Sequence, residues 1–135
     1  MVLPYACEQV YRLVSEIAHY PQFLPYCLDA KILEENQGVL KGTLRVGYKG
    51  LGYNFATQNR NQPPGHIQME LLSGPFQKLE GHWHFDPRPE GCQVRLELTL
   101  EFKHPLLGRL FRHKIEEVTD LMVQAFIDRA KELYA

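Results

Sequence analysis

A change of period late in the chain constrains the fold more than any other feature. From Gln93 to Lys103, Val94, Leu96, Leu98, Leu100 and Phe102 alternate with Arg95, Glu97, Thr99 and Glu101. Period 2 sustained over such a run puts one face in a core and the other in water. From Pro105 the period becomes helical, with Leu107, Phe111, Ile115, Val118, Met122, Ala125, Phe126 and Leu133 on one stripe. Pro105 suits a first turn, where its missing N–H costs little. Run to Tyr134, such a helix is about 40 Å long at ~1.5 Å per residue. A helix of that length must lie across a whole sheet.

The residues upstream supply the sheet. Leu79, Gly81, Trp83 and Phe85 alternate with Glu80, His82, His84 and Asp86, and Ile67, Met69 and Leu71 form a further run between turn-forming Pro and Gly clusters. Tyr53 to Asn61 and Val39 to Tyr48 read as two strands around the turn KGLG, and Ala30 to Glu35 as another before a turn at Asn36 to Gly38. Turns this closely spaced predict an antiparallel meander. Near the start, Val10, Leu13, Val14 and Ile17 share one helical face, in a helix ended by Pro21. Cys7 stands at its cap position, a weak substitute for Ser or Asp. The segment Tyr20-Pro21-Gln22-Phe23-Leu24-Pro25-Tyr26-Cys27 reads as a turn or short helical fragment that sets Phe23, Leu24 and Tyr26 against an apolar surface. The fold class is α+β: one curved antiparallel sheet wrapped around a long C-terminal helix, in a single domain over residues 1–135. A twisted sheet diverges from a straight helix, so the gap between them is filled by side chains or left as an apolar pocket.

Composition narrows the function classes. With 44% apolar and 23% charged residues the chain is expected to pack a core, and a net charge of −1 gives no global attraction for nucleic acid. No apolar run is long enough to span a membrane, and Met1 to Ala6 is too short for a secretory signal. Cys7, Cys27 and Cys92 are odd in number and widely spaced, which predicts three reduced thiols and a cytosolic protein. His82 and His84 share one strand face but have no third ligand fixed by sequence, so a solvated face is expected and no metal; His19, His66, His104 and His113 are scattered. Hydrolase, zincin and nucleotide-binding motifs are absent, and most carboxylates fall on wet faces, so no enzymatic activity is expected. Asn54, Thr57, Asn59 and Arg60 are the polar groups of one strand that could point inward. Charge is locally uneven: Lys103, Arg109, Arg112 and Lys114 lie among Leu106, Leu107, Leu110 and Phe111 with no acid between them. That pattern fits contact with an anionic surface, either RNA or phospholipid headgroups.

The order of elements resembles the START-like helix-grip fold. The YPQFLPYC segment, Ser73-Gly74-Pro75-Phe76 followed by Leu79, Gly81 and Trp83, and Met122-Val123-Gln124-Ala125-Phe126 with Arg129-Ala130-Lys131 are similar to one branch of that family. The branch holds the coenzyme Q-binding proteins and the bacterial ribosome association toxins, and the toxin-like members resemble this chain most. The resemblance implies an apolar pocket for a hydrophobic ligand, a quinone such as ubiquinone or a related lipid, in support of respiration. It implies no other cofactor. We expect Phe23, Leu24, Trp83, Phe102, Phe111, Val118, Met122 and Phe126 to bound that pocket. The toxin-like members imply instead a protein that binds the large ribosomal subunit and blocks subunit joining, through Lys103, Arg109, Arg112 and Lys114, with Lys41, Arg45 and Lys49 as further contacts. A peripheral contact with the inner face of a membrane is the lipid counterpart of that basic surface. The family opens with a full strand, whereas only Met1 to Leu3 precede Pro4 here. Either the start is misassigned or trimmed, or the first strand is nearly absent; loss of that strand would leave a sheet edge open to a second copy of the chain.

Overall fold

The computed structural model describes residues 2–48, 51–74, 76–103 and 114–134. Seven strands form one antiparallel sheet in the order β1-β7-β6-β5-β4-β3-β2. They are β1 (Val2–Leu3), β2 (Cys27–Asn36), β3 (Val39–Tyr48), β4 (Leu51–Gln62), β5 (His66–Ser73), β6 (Phe76–Arg88) and β7 (Gly91–Phe102). Helix α1 (Cys7–Ser15) and a 3-10 helix (Ile17–Gln22) lie between β1 and β2, and helix α2 (Lys114–Tyr134) follows β7. The expected helix start at Pro105 lies outside the described residues. Every expected strand is present. Asn36 pairs with Val39 across a two-residue turn in which Gln37 (φ 50°) and Gly38 (φ 81°) are both left-handed. Such turns match the twist of the strands they join. Gly38 also accepts a hydrogen bond from the Asn61 N–H at 2.7 Å, and a Cβ there would press on the Asn61 carbonyl.

The N-terminal region departs from expectation in three ways. First, Ala6 rather than Cys7 is the N-cap of α1: its N–H donates to the Gln9 side-chain oxygen at 3.2 Å, and Cys7 turns inward as the first helical residue. Second, α1 ends at Ser15, and Pro21 sits within the 3-10 helix instead of terminating a longer α-helix. Tighter 3-10 winding carries Ile17 into the core, where it is 2% exposed. Third, Cys7 and Cys92 are joined by a disulfide with Cα atoms 5.0 Å apart, leaving Cys27 as the one free thiol. The expectation of three reduced thiols is thus corrected. A separation of 85 residues hides the pair in the sequence, and cysteine usage no longer points to a reducing compartment. In β1, Val2 and Leu3 pair with Gln93 and Cys92.

The main core lies between β5–β7, α1 and the C-terminal half of α2. Val10, Leu13 and Val14 of α1 meet Ile67, Trp83 and Phe85 of the sheet and Phe126, Ile127 and Ala130 of α2. Leu133, expected on the buried stripe, is 51% exposed. Near its end α2 turns a different face inward, toward Gln9 and Tyr5: the Tyr134 hydroxyl donates to the Gln9 carbonyl, and its ring lies 6.0 Å from that of Tyr5. Phe126 is the hub of this packing, with ring centroids 5.4 to 5.5 Å from Trp83, Tyr20 and Phe23. Phe126→Ala is expected to cost about 3–5 kcal/mol in a denaturant titration, whereas Leu133→Ala should stay within about 0.5 kcal/mol of the parent.

Candidate functional site

Between the concave face of the sheet and α2 lies a cavity of about 290 Å³. Strand alternation builds its wall: β4 sends in Tyr53, Phe55, Thr57 and Asn59, and β7 sends in Leu96, Leu98, Leu100 and Phe102. Met69 and Trp83 form the floor between them, and α2 supplies Thr119, Met122 and Phe126. Ile17, Tyr20 and Leu24 close one end. At the other end Phe76 is packed edge-on to Phe55 at 5.5 Å and tilted against Phe102 at 5.3 Å. Leu96, Leu98 and Leu100 are only half-buried although they face inward, so apolar surface is left uncovered by protein. Among the described residues no Asp, Glu, Lys or Arg lines the cavity.

The polar groups in this wall are few. Thr57 and Asn59 are 4% and 5% exposed, and the Asn59 Oδ1 has no hydrogen-bond partner among the described residues. Asn54 and Arg60, on the opposite face of β4, are exposed. The Tyr20 hydroxyl donates to the Val14 carbonyl. Burial, and then the neighbouring Cys27, raise its pKa far above the usual phenol range. Burial and then the Asp29 charge likewise push the Cys27 thiol up, against the pull of a hydrogen bond to the Asp29 backbone. A thiol held protonated is a poor nucleophile.

Of the residues expected to bound a pocket, Leu24, Trp83, Phe102, Met122 and Phe126 lie on this wall. Phe23 does not; it packs against Phe126 and Tyr20, under the Arg129 guanidinium at 5.4 Å. Phe111 lies outside the described residues, and Val118 is on α2 with its side chain outside them. Among the basic residues, Lys103 is exposed just past β7 and Lys114 opens α2, while Arg109 and Arg112 lie outside the described residues. Reading the sequence missed Ile17 and Tyr20: it places Ile17 on the packing face of the first helix, and of the YPQFLPYC segment it sets only Phe23, Leu24 and Tyr26 against an apolar surface. The inward pair Thr57 and Asn59 was signalled by its alternation with Tyr53 and Phe55.

With this geometry in place, comparison with known proteins settles the family. The sequence profile of the polyketide cyclase/dehydrase and lipid transport family matches residues 3–127. The chain belongs to that family. Ribosome association toxin RatA of Escherichia coli is 39% identical over 99% of this chain and 85% of its own length. The mitochondrial coenzyme Q-binding protein COQ10 homolog B of Xenopus laevis is 30% identical over 98% of this chain and 57% of its own length. A START superfamily protein from Mycobacterium smegmatis superposes with a TM-score of 0.83 at 23% identity, covering 98% of this chain and 94% of that one. The Zhui aromatase/cyclase of Streptomyces superposes at 0.82 with 17% identity, covering 97% and 90%. Both likenesses concern the fold, which is the START-like one expected. Among the described residues no helix is long and apolar enough to cross a membrane.

Outside the family's cavity, the convex face carries a histidine cluster. His66 on β5 faces His84 on β6, which brings it beside the pair His82 and His84, to which its sequence position shows no relation. The His66 ring stacks on His84 at 5.0 Å and on His82 at 5.2 Å, and His66 Nε2 lies 3.0 Å from His82 Nδ1. Glu80 meets His82 at 3.2 Å and Glu97 meets His84 at 3.8 Å, with Arg95 also against Glu97. The expectation that His66 is unrelated to the pair is corrected. Among the described residues no group of three His, Cys, Asp or Glu side chains is arranged to hold a metal ion.

Burial lowers the His66 pKa, and the neighbouring His84 and His82 lower it further, against the opposing pull of Glu97. A histidine lowered on folding contributes its stability above its unfolded value of about 6.5 and loses it as the pH falls. The thermal midpoint should therefore drop between about pH 7.5 and pH 5.5. His66→Gln should flatten that slope relative to the parent in parallel thermal melts.

Proposed function

We propose that this chain is a non-enzymatic binding protein whose cavity takes a hydrophobic molecule. The observation that carries this reading is the uncharged, largely apolar space between sheet and helix. Burying apolar ligand surface there yields about 25 cal/mol per Å². The COQ10 relative favours a quinone: its ring would lie inside, with an isoprenoid tail leaving through the mouth. The biological role would be to hold or deliver such a lipid for respiration. Native mass spectrometry of protein purified from its own cells, followed by organic extraction, tests this. A stoichiometric quinone or lipid is expected. Leu98→Trp, which fills the cavity from β7, should abolish that adduct while leaving the melting transition cooperative. A parent protein free of any organic adduct would sink the reading.

A second reading is favoured by the RatA relative, which matches almost the whole chain. Here the protein would bind the large ribosomal subunit from the cytoplasm and block subunit joining. The basic stretch from Lys103 to Lys114 would be the contact, with Arg45, exposed on β3, as a further one. Binding driven by phosphate contacts weakens steeply with salt. Co-sedimentation with large subunits should therefore fall as salt rises. Charge reversal at Arg109 and Arg112 should reduce it at least tenfold at low salt, and unchanged co-sedimentation would count against this contact.

A further inference from the structure

We propose that Asn59 and Thr57 form a polar anchor inside the cavity, and that the anchor selects an uncharged ligand whose buried end carries a hydroxyl group. The inference rests on the ligand-binding reading above and adds the chemistry and orientation of the ligand. Thr57 and Asn59 are the buried polar residues of the described structure, and both lie on the cavity wall. The Asn59 Oδ1 is buried and has no partner among the described residues. A buried acceptor left unsatisfied costs free energy, which a ligand donor recovers. The terminal torsion of Asn is soft, so a small rotation turns the amide toward an occupant.

The position of Asn59 sets the ligand's direction. Across the sheet it pairs with Leu40 on β3 and Met69 on β5, and Met69 pairs with Gly81 on β6. Leu40 is 4% exposed, and a Cβ at Gly81 would run into the Met69 methyl group, so this row is closely packed. From Asn59 the same face of β4 leads back through Thr57 and Phe55 to Tyr53, toward the end bounded by Phe76 and Phe102. With its polar end at Asn59, a ligand thus lays its apolar remainder along those aromatic rings.

Chemistry then selects the head group. An amide offers a donor and an acceptor, and so does a hydroxyl, whereas an ether only accepts. A hydroxyl satisfies Asn59 in either orientation of its amide, with the Thr57 hydroxyl beside it. A carboxylate or phosphate would bring a charge to a wall that holds no cation among the described residues, at a high desolvation cost. The favoured class is therefore a phenol, hydroquinone or alcohol on an apolar body; of a quinone couple, the anchor prefers the reduced hydroquinone, because the oxidised quinone only accepts.

Trp83 is the only tryptophan and lies on the cavity wall, so quenching of its fluorescence reads occupancy. The probes are para-hexylphenol, its methyl ether and para-hexylbenzoate. The phenol is expected to bind about tenfold more tightly than the ether, the difference of one recovered hydrogen bond, and the benzoate more weakly than the phenol. Asn59→Leu should bring the phenol-to-ether ratio to about one while keeping the ether's affinity. Thr57→Val, nearly the same shape, should lower the ratio in the same sense and serves if the Asn59 variant does not fold. Equal affinity of phenol and ether for the parent protein overturns the anchor but leaves the cavity reading standing. Benzoate binding as tightly as the phenol overturns the selection for an uncharged head. Quenching by none of the probes overturns the cavity reading and the anchor together.

Discussion

Everything in this molecule follows from one apolar sheet face that a single helix must cover. Six of the seven strands are long, and the residues they turn to the cavity are mostly Leu, Phe, Tyr, Val, Met and Trp, with Thr57 and Asn59 as polar exceptions. Helix α2 spans 21 residues, about 32 Å at ~1.5 Å per residue. A straight rod of that length cannot follow a sheet that twists away beneath it. Contact is therefore tight at one end of α2 and loose at the other. Ala130 is fully buried and Phe126 and Ile127 nearly so, while Met122 and Thr119 face open space. The cavity is the geometric remainder of that mismatch.

The tight end is held by the chain's first thirty residues. Helix α1 packs its apolar stripe against β6, β7 and α2, and the disulfide from Cys7 to Cys92 ties it to the same sheet edge that β1 extends. The 3-10 helix then brings Tyr20, Phe23 and Leu24 under Phe126. Tyr26 adopts a left-handed backbone (φ 67°), an unfavourable state for a tyrosine. Its carbonyl accepts a hydrogen bond from the Gly47 N–H at 2.9 Å, which fixes the chain as it turns into β2. The segment dense in proline and aromatics is thus the plug of the cavity, shaped by backbone bonds that its composition alone does not reveal.

Local periodicity made most of the fold legible. The alternation on β6 and β7 and the stripe on α2 each report a one-sided environment, so Trp83, Phe102, Met122 and Phe126 could be placed toward a common interior from spacing. The YPQFLPYC resemblance pointed to the family that the profile match then established. What stayed hidden depends on contacts distant in sequence. Cys7 and Cys92 meet only because β1 leads α1 back against β7, and His66 joins His84 only through the register of β5 with β6. Leu133 is exposed because the end of α2 turns toward Tyr5 and Gln9, a choice made by partners and not by the stripe. Phe23, aromatic like its neighbours, serves the packing around Phe126 instead of the wall. No periodicity separates those two roles.

The character of the wall argues for holding over converting. Acid–base chemistry needs a group that exchanges a proton near working pH. The Tyr20 hydroxyl is committed to the Val14 carbonyl, and its pKa is raised beyond reach by burial. The Cys27 thiol is likewise held in its protonated form. Thr57 and Asn59 do not titrate in the relevant range. The described histidines and carboxylates stand outside the cavity wall, His66, His82 and His84 on the convex face of the sheet. Groups of this kind bind and orient an occupant without moving its protons. A structural neighbour with the same scaffold is an aromatase/cyclase, so the frame does not decide between holding and converting; that decision resides in the side chains that reach the cavity and not in the sheet that frames it.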